Sequence, residues 1–149
     1  MDEAAARDSF QRALETYRPD FETFFFARLL GLDFAYEGEA ADTRCVVTFD
    51  VLDWMFNPQG SLHGGIIASV MDISMGHCIR KVFGIGGATL EMKQQYLTPL
   101  RTGRCRVVGR FLRRTRSIQF MQSDLFSPDD KLCVSATSTW KVSVPDGSR

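Results

Sequence analysis

The stretch NPQGSLHGGIIASVMD, residues 57–72, decides how the rest of the chain is read. Asn, Pro and Gly punctuate its first half, which predicts a loop. From about His63 to Val82 the apolar residues recur at helical spacing. Ile66, Val70, Ile73 and His77 fall on one face, with Ile67, Met71 and Cys78 beside them. Gly65, Ala68, Ser69, Asp72 and Gly76 form another face, small residues around one carboxylate. Burying an unpaired carboxylate is costly, so Asp72 needs either a partner or a chemical task.

Outward from this helix the period changes. DTRCVVTFDV, before it, has strand-forming residues with some alternation. After it, FGIGGA (83–88) makes a turn, and no helical pattern follows that would make it a phosphate loop. Four strand-like runs come next: ATLEMKQQYLTPL, GRCRVVGRFLRRT, SIQFMQSDLFS and KLCVSATSTWKVSV. SPDDK (127–131) reads as the hairpin connection between the last two. At the other end, residues 3–16 read as a short amphipathic helix, and Phe21–Leu30 as a second apolar, helical segment. One long helix beside five or six largely antiparallel strands is an α+β layer, in which the sheet can wrap the helix.

At 149 residues the chain is most economically one domain with a single core. The composition is globular, 44% hydrophobic and 24% charged. The acidic, amphipathic start is not a secretory signal, and the apolar segments are too short or interrupted to span a bilayer. Cys45, Cys78, Cys105 and Cys133 form no CxxC pair, so reduced, buried thiols in the cytoplasm are expected and no metal site is. The formal net charge is zero but unevenly spread. Residues 1–53 hold twelve Asp/Glu against five Arg, whereas residues 101–116 hold seven Arg and no acid. Such a basic stretch suits a polyanion or forms a solvated strand face.

A helix beginning near Gly64 leaves its first N–H groups without intrahelical partners, at the positive end of its dipole. Such a terminus can bind phosphate or polarise a carbonyl on which negative charge develops. Asp72 could serve as general base or as nucleophile. Eight residues separate it from Gly64, roughly 12 Å along a helix. One helix cannot bring both to one carbonyl. Two copies running antiparallel across a dimer interface can.

Asn57-x-x-Gly60-x-x-His63-Gly64-Gly65, followed seven residues later by Asp72, resembles the active-site signature of hotdog-fold thioesterases. The likeness is greatest to the phenylacetic-acid-pathway (PaaI-like) and acyl-CoA thioesterase-13-like group. TLEMKQQYLTP (89–99), with its Tyr96-Leu97-x-Pro99 ending, is similar to the strand that follows the central helix there. The resemblance covers about residues 30–143. The chain is therefore expected to divide into an N-terminal helical segment over 1–30, a hotdog domain over 31–143 and a frayed tail over 144–149. The resemblance further implies sheets paired edge to edge in dimers that often form tetramers, and hydrolysis of an acyl-CoA without a metal or a separate cofactor, coenzyme A being part of the substrate. By resemblance Asp72 is the base or nucleophile, and the Gly64 amide polarises the thioester carbonyl, with Gly65 beside it against the substrate. Asn57 holds the thioester or the water, His63 orders the loop, and Thr89 contacts the attacking water.

Coenzyme A also offers the arginines a partner, because its phosphates suit bidentate guanidinium contacts. On a regular strand over 103–115, Arg104, Arg106, Arg110, Arg114 and Arg116 would share one face and Arg113 the other. Arg113, Arg114 and Arg116, near the strand end, are the candidate phosphate contacts. Trp54, Met55 and Phe56 could line an acyl pocket or belong to the core, and His77 reads as a core histidine. A non-catalytic acyl-CoA or lipid-binding protein of the same fold is the alternative function. No motif or aromatic interleaving supports nucleic-acid binding.

Overall fold

A computed structural model describes residues 1–143; the expected frayed tail lies outside the described residues. The long apolar stripe becomes a 20-residue helix, Gly64–Phe83, the third in the chain (α3). The His63 side chain caps its start, its Nδ1 accepting the Gly65 N–H at 2.9 Å. Gly84 ends it in the left-handed region at φ 72°, with its N–H bonded to the Arg80 carbonyl. Arg80 and Lys81 in the last turn complement the dipole.

Six strands surround this helix: β1 (Asp33–Glu37), β2 (Arg44–Val51), β3 (Ala88–Tyr96), β4 (Gly103–Arg114), β5 (Ile118–Phe126) and β6 (Leu132–Lys141). They form one sheet in the order β1-β2-β4-β5-β6-β3, antiparallel at every pairing. The α3 crossover therefore carries the chain from β2 to the far edge, and β4-β5-β6 fill the space between as a meander. This is the hotdog arrangement that the sequence led us to expect.

Alternation supplies the core. Cys45, Val47 and Phe49 of β2, Cys105 and Val107 of β4, and Met121 and Leu125 of β5 are all 0% exposed. They pack against Ile67, Val70, Met71, Met75 and Cys78 of α3. Fully burying a side chain of this kind contributes about 1.5–3 kcal/mol. The closest approach lies over β4. A methyl on Gly109 would stand 2.6 Å from the Ser74 carbonyl carbon and oxygen, so helix and strand meet backbone to backbone. Ser74 Oγ locks the contact, 2.7 Å from the Met71 carbonyl and 2.8 Å from Ser123 Oγ. The four cysteines are buried free thiols, and burial pushes the Cys78 thiol up to about 12 and the Cys105 thiol to about 11.

At the N-terminus, α1 (Glu3–Thr16) is capped by the Asp2 carboxylate, which accepts the Ala5 N–H at 3.0 Å. The second helix is shorter than expected: α2 spans only Phe25–Leu30. Asp20 is the reason. Its carboxylate accepts the N–H groups of Glu22 (3.0 Å) and Thr23 (2.6 Å), folding the preceding residues into a turn instead.

Two β-bulges re-aim side chains. On β4 the register shifts between Phe111 and Arg113. Arg113 pairs with Phe120 and thus joins Arg106 and Arg110 on the outer face, while Arg114, opposite the buried Gln119, turns to the helix side. This reverses the expectation that Arg114 shares the face of Arg104, Arg106 and Arg110 with Arg113 opposed, because strict alternation does not survive the extra residue. On β3 the shift between Thr89 and Glu91 puts Thr89 opposite Trp140, on the same face as Met92, Gln94 and Tyr96.

Candidate active site

The loop before α3 is built around Asn57. Its Oδ1 accepts the Gln59 N–H at 2.9 Å and the Ser61 N–H at 3.3 Å, and its Nδ2 donates to Ser61 Oγ at 3.1 Å. Gly60 supplies the positive φ, 75°, that closes the turn. The loop is then pinned to the core by the His63 N–H on the Met55 carbonyl (2.9 Å) and the Leu62 N–H on the Leu100 carbonyl (2.8 Å). Asn57 is thus first an organiser of the loop, and only one of its two amide protons is engaged by Ser61.

His63, Gly64 and Gly65 divide their roles. The Gly65 N–H is committed to His63 Nδ1, and the N–H groups of Ile66 and Ile67 point to the His63 carbonyl. The Gly64 N–H has no acceptor among the described residues, which leaves it as the open donor at the helix terminus. Gly65 contributes chiefly its lack of a side chain. Tyr96, from β3, stands over this terminus: its hydroxyl lies 3.1 Å from the Gly64 carbonyl and also meets Gln94 Oε1. A methyl on Gly64 would lie 3.3 Å from that hydroxyl. Asn57, Gly64, Gly65 and Tyr96 line a cleft of about 600 Å³.

Two turns further along α3 is the carboxylate. Asp72 is half-buried, and its Oδ1 accepts the Thr89 hydroxyl at 2.7 Å. No cation pairs with it among the described residues. Burial raises its pKa above the ordinary aspartate value of 3.8, and the Thr89 hydrogen bond opposes the rise. Trp140, the register partner of Thr89, slides beneath the helix because Gly76 and Gly87 have no side chains; a methyl on either would be 3.2 Å from its ring. Asp72, Ile73, His77 and Trp140 belong to a second cavity, separate from the Gly64 cleft. Within one chain, then, the two groups lie roughly two helical turns apart, about 12 Å at the α-helical rise.

A family model described as the thioesterase superfamily matches residues 59–134, just over half of the chain. The chain belongs to the thioesterase superfamily. Among curated relatives, one candidate esterase of Saccharolobus solfataricus is 29% identical over 100 residues, covering 66% of this chain and 71% of its own length. Another from the same organism is 27% identical over 84 residues, 56% of each, so this chain spans little more than half of that relative. Among solved structures, a phenylacetic acid degradation-related candidate thioesterase from Ralstonia eutropha superposes with a TM-score of 0.73 at 26% identity, covering 90% of this chain and 99% of that one. A Haemophilus influenzae thioesterase has a TM-score of 0.70 at 23% identity, covering 80% and 84%.

Among the described residues no arginine forms an ion pair with Asp72. Arg104 bridges Asp50 (3.0 Å) and Asp33, Arg106 pairs with Asp130, and Arg110 reaches Gln122 at 2.8 Å. Arg104 thus meets acid from the N-terminal third, and the basic field of the seven arginines is offset in part, at Arg104, Arg106 and Arg110. Arg114 lies over Phe83 at 5.2 Å and Phe111 at 5.4 Å, at the far end of α3. Arg113 is exposed on the outer face, and Arg116 occupies the β4–β5 turn. Met55 is core, 1% exposed, and Trp54 and Phe56 pack against the core, so none of the three lines the Asp72 cavity. Sequence reasoning passed over Ser61, Tyr96 and Trp140 as site residues. The Tyr96-Leu97-x-Pro99 ending pointed to Tyr96; Trp140 carries no local signal.

Proposed function

We propose that the chain is an acyl-CoA thioesterase that works as a dimer of antiparallel central helices, hydrolysing a CoA thioester to the free acid and CoA. The observation that carries this reading is the split site. Among the described residues, a Gly64 N–H without an acceptor and a half-buried Asp72 without a cation share one helix, at a spacing that no single thioester carbonyl can bridge. A twofold partner removes the gap by setting the Gly64 of one subunit opposite the Asp72 of the other. The edge of β3 supports such pairing, because no strand covers its outer side among the described residues and Leu90, Tyr96 and Leu97 are 55–58% exposed. Further pairing would give a tetramer.

In this reading Asp72 takes a proton from water, and the oxygen attacks the thioester carbon. The Gly64 N–H receives the developing oxyanion, and the C–S bond breaks as the proton passes to the CoA sulfur. If Asp72 attacks instead, the C–S bond breaks and CoA leaves as a thiolate while a mixed anhydride forms. Water then attacks the Asp72 carboxyl carbon, releasing the acid, and its proton passes to the CoA sulfur. A single turnover in heavy-oxygen water separates the two, since only direct attack sends an Asp72 oxygen into the first product. Thr89 orients the carboxylate and the water, Asn57 offers its second amide proton to the thioester, and His63 maintains the helix start. Arg113, Arg114 and Arg116 are the candidate contacts for the CoA phosphates. No cofactor beyond the CoA of the substrate is needed, and the four buried thiols suit a reducing cytoplasm.

Mixed dimers test the split. Asp72→Asn and Gly64→Pro, each inactive alone, are unfolded together at equal amounts and refolded. Half the dimers are then hybrid, each with one intact site, so about a quarter of wild-type activity returns. Recovery of none places both groups in one chain's site and sinks the dimeric reading. Binding of acyl-CoA by the wild type with no turnover moves the protein to the non-catalytic binding class.

A further inference from the structure

The cavity beside Asp72 has a wall that lies outside the thioesterase match of residues 59–134. The cavity holds about 370 Å³, near the lower end of the ~300–1,000 Å³ usual for ligand sites. One side is Ile73 and His77 of α3 with Trp140 of β6; the other is Phe21 and Phe24 from the turn before α2. That turn is preformed. Besides its two backbone contacts, Asp20 accepts the Thr23 hydroxyl at 2.8 Å, and the Arg18 N–H closes on the Thr23 carbonyl at 2.9 Å.

Phe21 is seated by contacts from three directions. Its ring meets His77 edge-on at 6.0 Å, and the Arg80 guanidinium lies 5.1 Å from its centroid. A methyl on Gly86 would come within 2.9 Å of the ring, so the absence of that side chain is what lets Phe21 dock. His77 is fixed in turn, stacked on Phe34 at 4.1 Å with Nδ1 3.1 Å from the Tyr36 hydroxyl. Burial lowers its pKa to about 4, against an opposing contribution from the Phe21 backbone, so the ring is neutral at pH 7. The cavity is thus mostly apolar, lined by no cation among the described residues and flanked by the carboxylates of Asp20 and Asp72.

We propose that this cavity receives the acyl group, that Phe21 and Phe24 set its depth as specificity-determining residues, and that it selects compact, uncharged acyl groups, an aromatic ring or a medium chain. The assignment rests on the thioesterase reading of Asp72. A long chain would have to displace the docked Phe21, and an acyl group ending in a carboxylate would enter without a counter-charge.

The test uses acetyl-, hexanoyl-, phenylacetyl-, palmitoyl- and succinyl-CoA. Turnover is measured with wild type, Phe21→Ala, Phe24→Ala and Phe21→Trp; binding of the same thioesters and of CoA itself is measured by calorimetry on Asp72→Asn with and without Phe21→Ala. Hexanoyl- and phenylacetyl-CoA are expected to give the highest kcat/KM. Each alanine variant should raise the palmitoyl-to-hexanoyl ratio of kcat/KM about tenfold, and Phe21→Trp should lower it. The opposite shifts of the two Phe21 variants separate a depth effect from poor folding. Unchanged ratios in all three variants, with an active wild type, overturn the cavity assignment and leave the hydrolase reading intact. An inert wild type overturns the hydrolase reading alone if Asp72→Asn still binds hexanoyl-CoA more tightly than CoA and loses that gain with Phe21→Ala.

Discussion

The two halves of the site on α3 are built in opposite ways. Around Gly64 nearly everything comes from residues 55–65: Asn57 folds its own turn, His63 caps its own helix, and the open donor is a backbone N–H. Around Asp72 the partners come from distant parts of the chain. Thr89 arrives from β3, Trp140 from β6 and Phe21 from the N-terminal turn, each admitted by a missing side chain or a bulge. The first half is held mainly by short-range hydrogen bonds. The second is set by tertiary packing around a half-buried carboxylate.

That contrast can be broken most severely at the carboxylate. Asp72→Asn should lower kcat at least a thousandfold in steady-state hydrolysis, the upper part of the range for a lost general base. The same change should raise Tm at pH 7. A carboxyl whose folded pKa lies above its unfolded value costs stability once pH exceeds the unfolded pKa, and the amide removes that cost. At the donor end, Gly64→Ala should cost about tenfold in kcat/KM by crowding Tyr96, and adding Tyr96→Phe should restore part of it by removing the hydroxyl 3.3 Å away. A double variant no better than the single would show that the methyl obstructs substrate rather than Tyr96.

Thr89→Val should reduce kcat severalfold and shift the acid limb of the pH–rate profile upward. Thr89 is the group that lowers the Asp72 pKa, and the base must be ionised to act. A limb that stays in place would detach it from Asp72. His77 gives the smaller, purely structural signal. Its folded pKa of about 4 lies below the ordinary 6.5, so stability is lost as pH falls from 6.5 to 4, where the unfolded chain gains a proton and the fold does not. His77→Phe should flatten Tm across that window. The smallest effect belongs to the rim: Arg113→Ala should raise KM for CoA thioesters about twofold with kcat unchanged.

The same contrast explains what could be read from the residues alone. The central helix, the meander and the Asn57-to-Asp72 spacing are encoded in contiguous patterns of apolar and turn residues, and these were legible. The orientation of Arg113 and Arg114 was not, because alternation assumes a regular strand and the bulge at Phe111/Arg113 leaves no local mark in an arginine-rich run. Phe21–Leu30 read as one apolar helix because the pattern gave more weight to its phenylalanines than to Asp20, whose carboxylate offers the backbone a turn instead. Trp140 has no local signal; only the folded chain brings it against Gly76 and Gly87, which are distant in sequence.

Gly109 and Ser74 touch backbone to backbone on the side of α3 turned away from Asp72, yet that contact sets a positional tolerance. In the proposed twofold pair, an axial slip of α3 carries Gly64 one way in one subunit and Asp72 the other way in its partner, so every slip counts double at the shared site. Catalytic geometry survives errors of only about 0.5 Å. The sheet must therefore hold each helix to about half of that, and an atom-on-atom stop at Gly109, latched by the Ser74–Ser123 hydroxyls, is the kind of bearing such a mechanism requires.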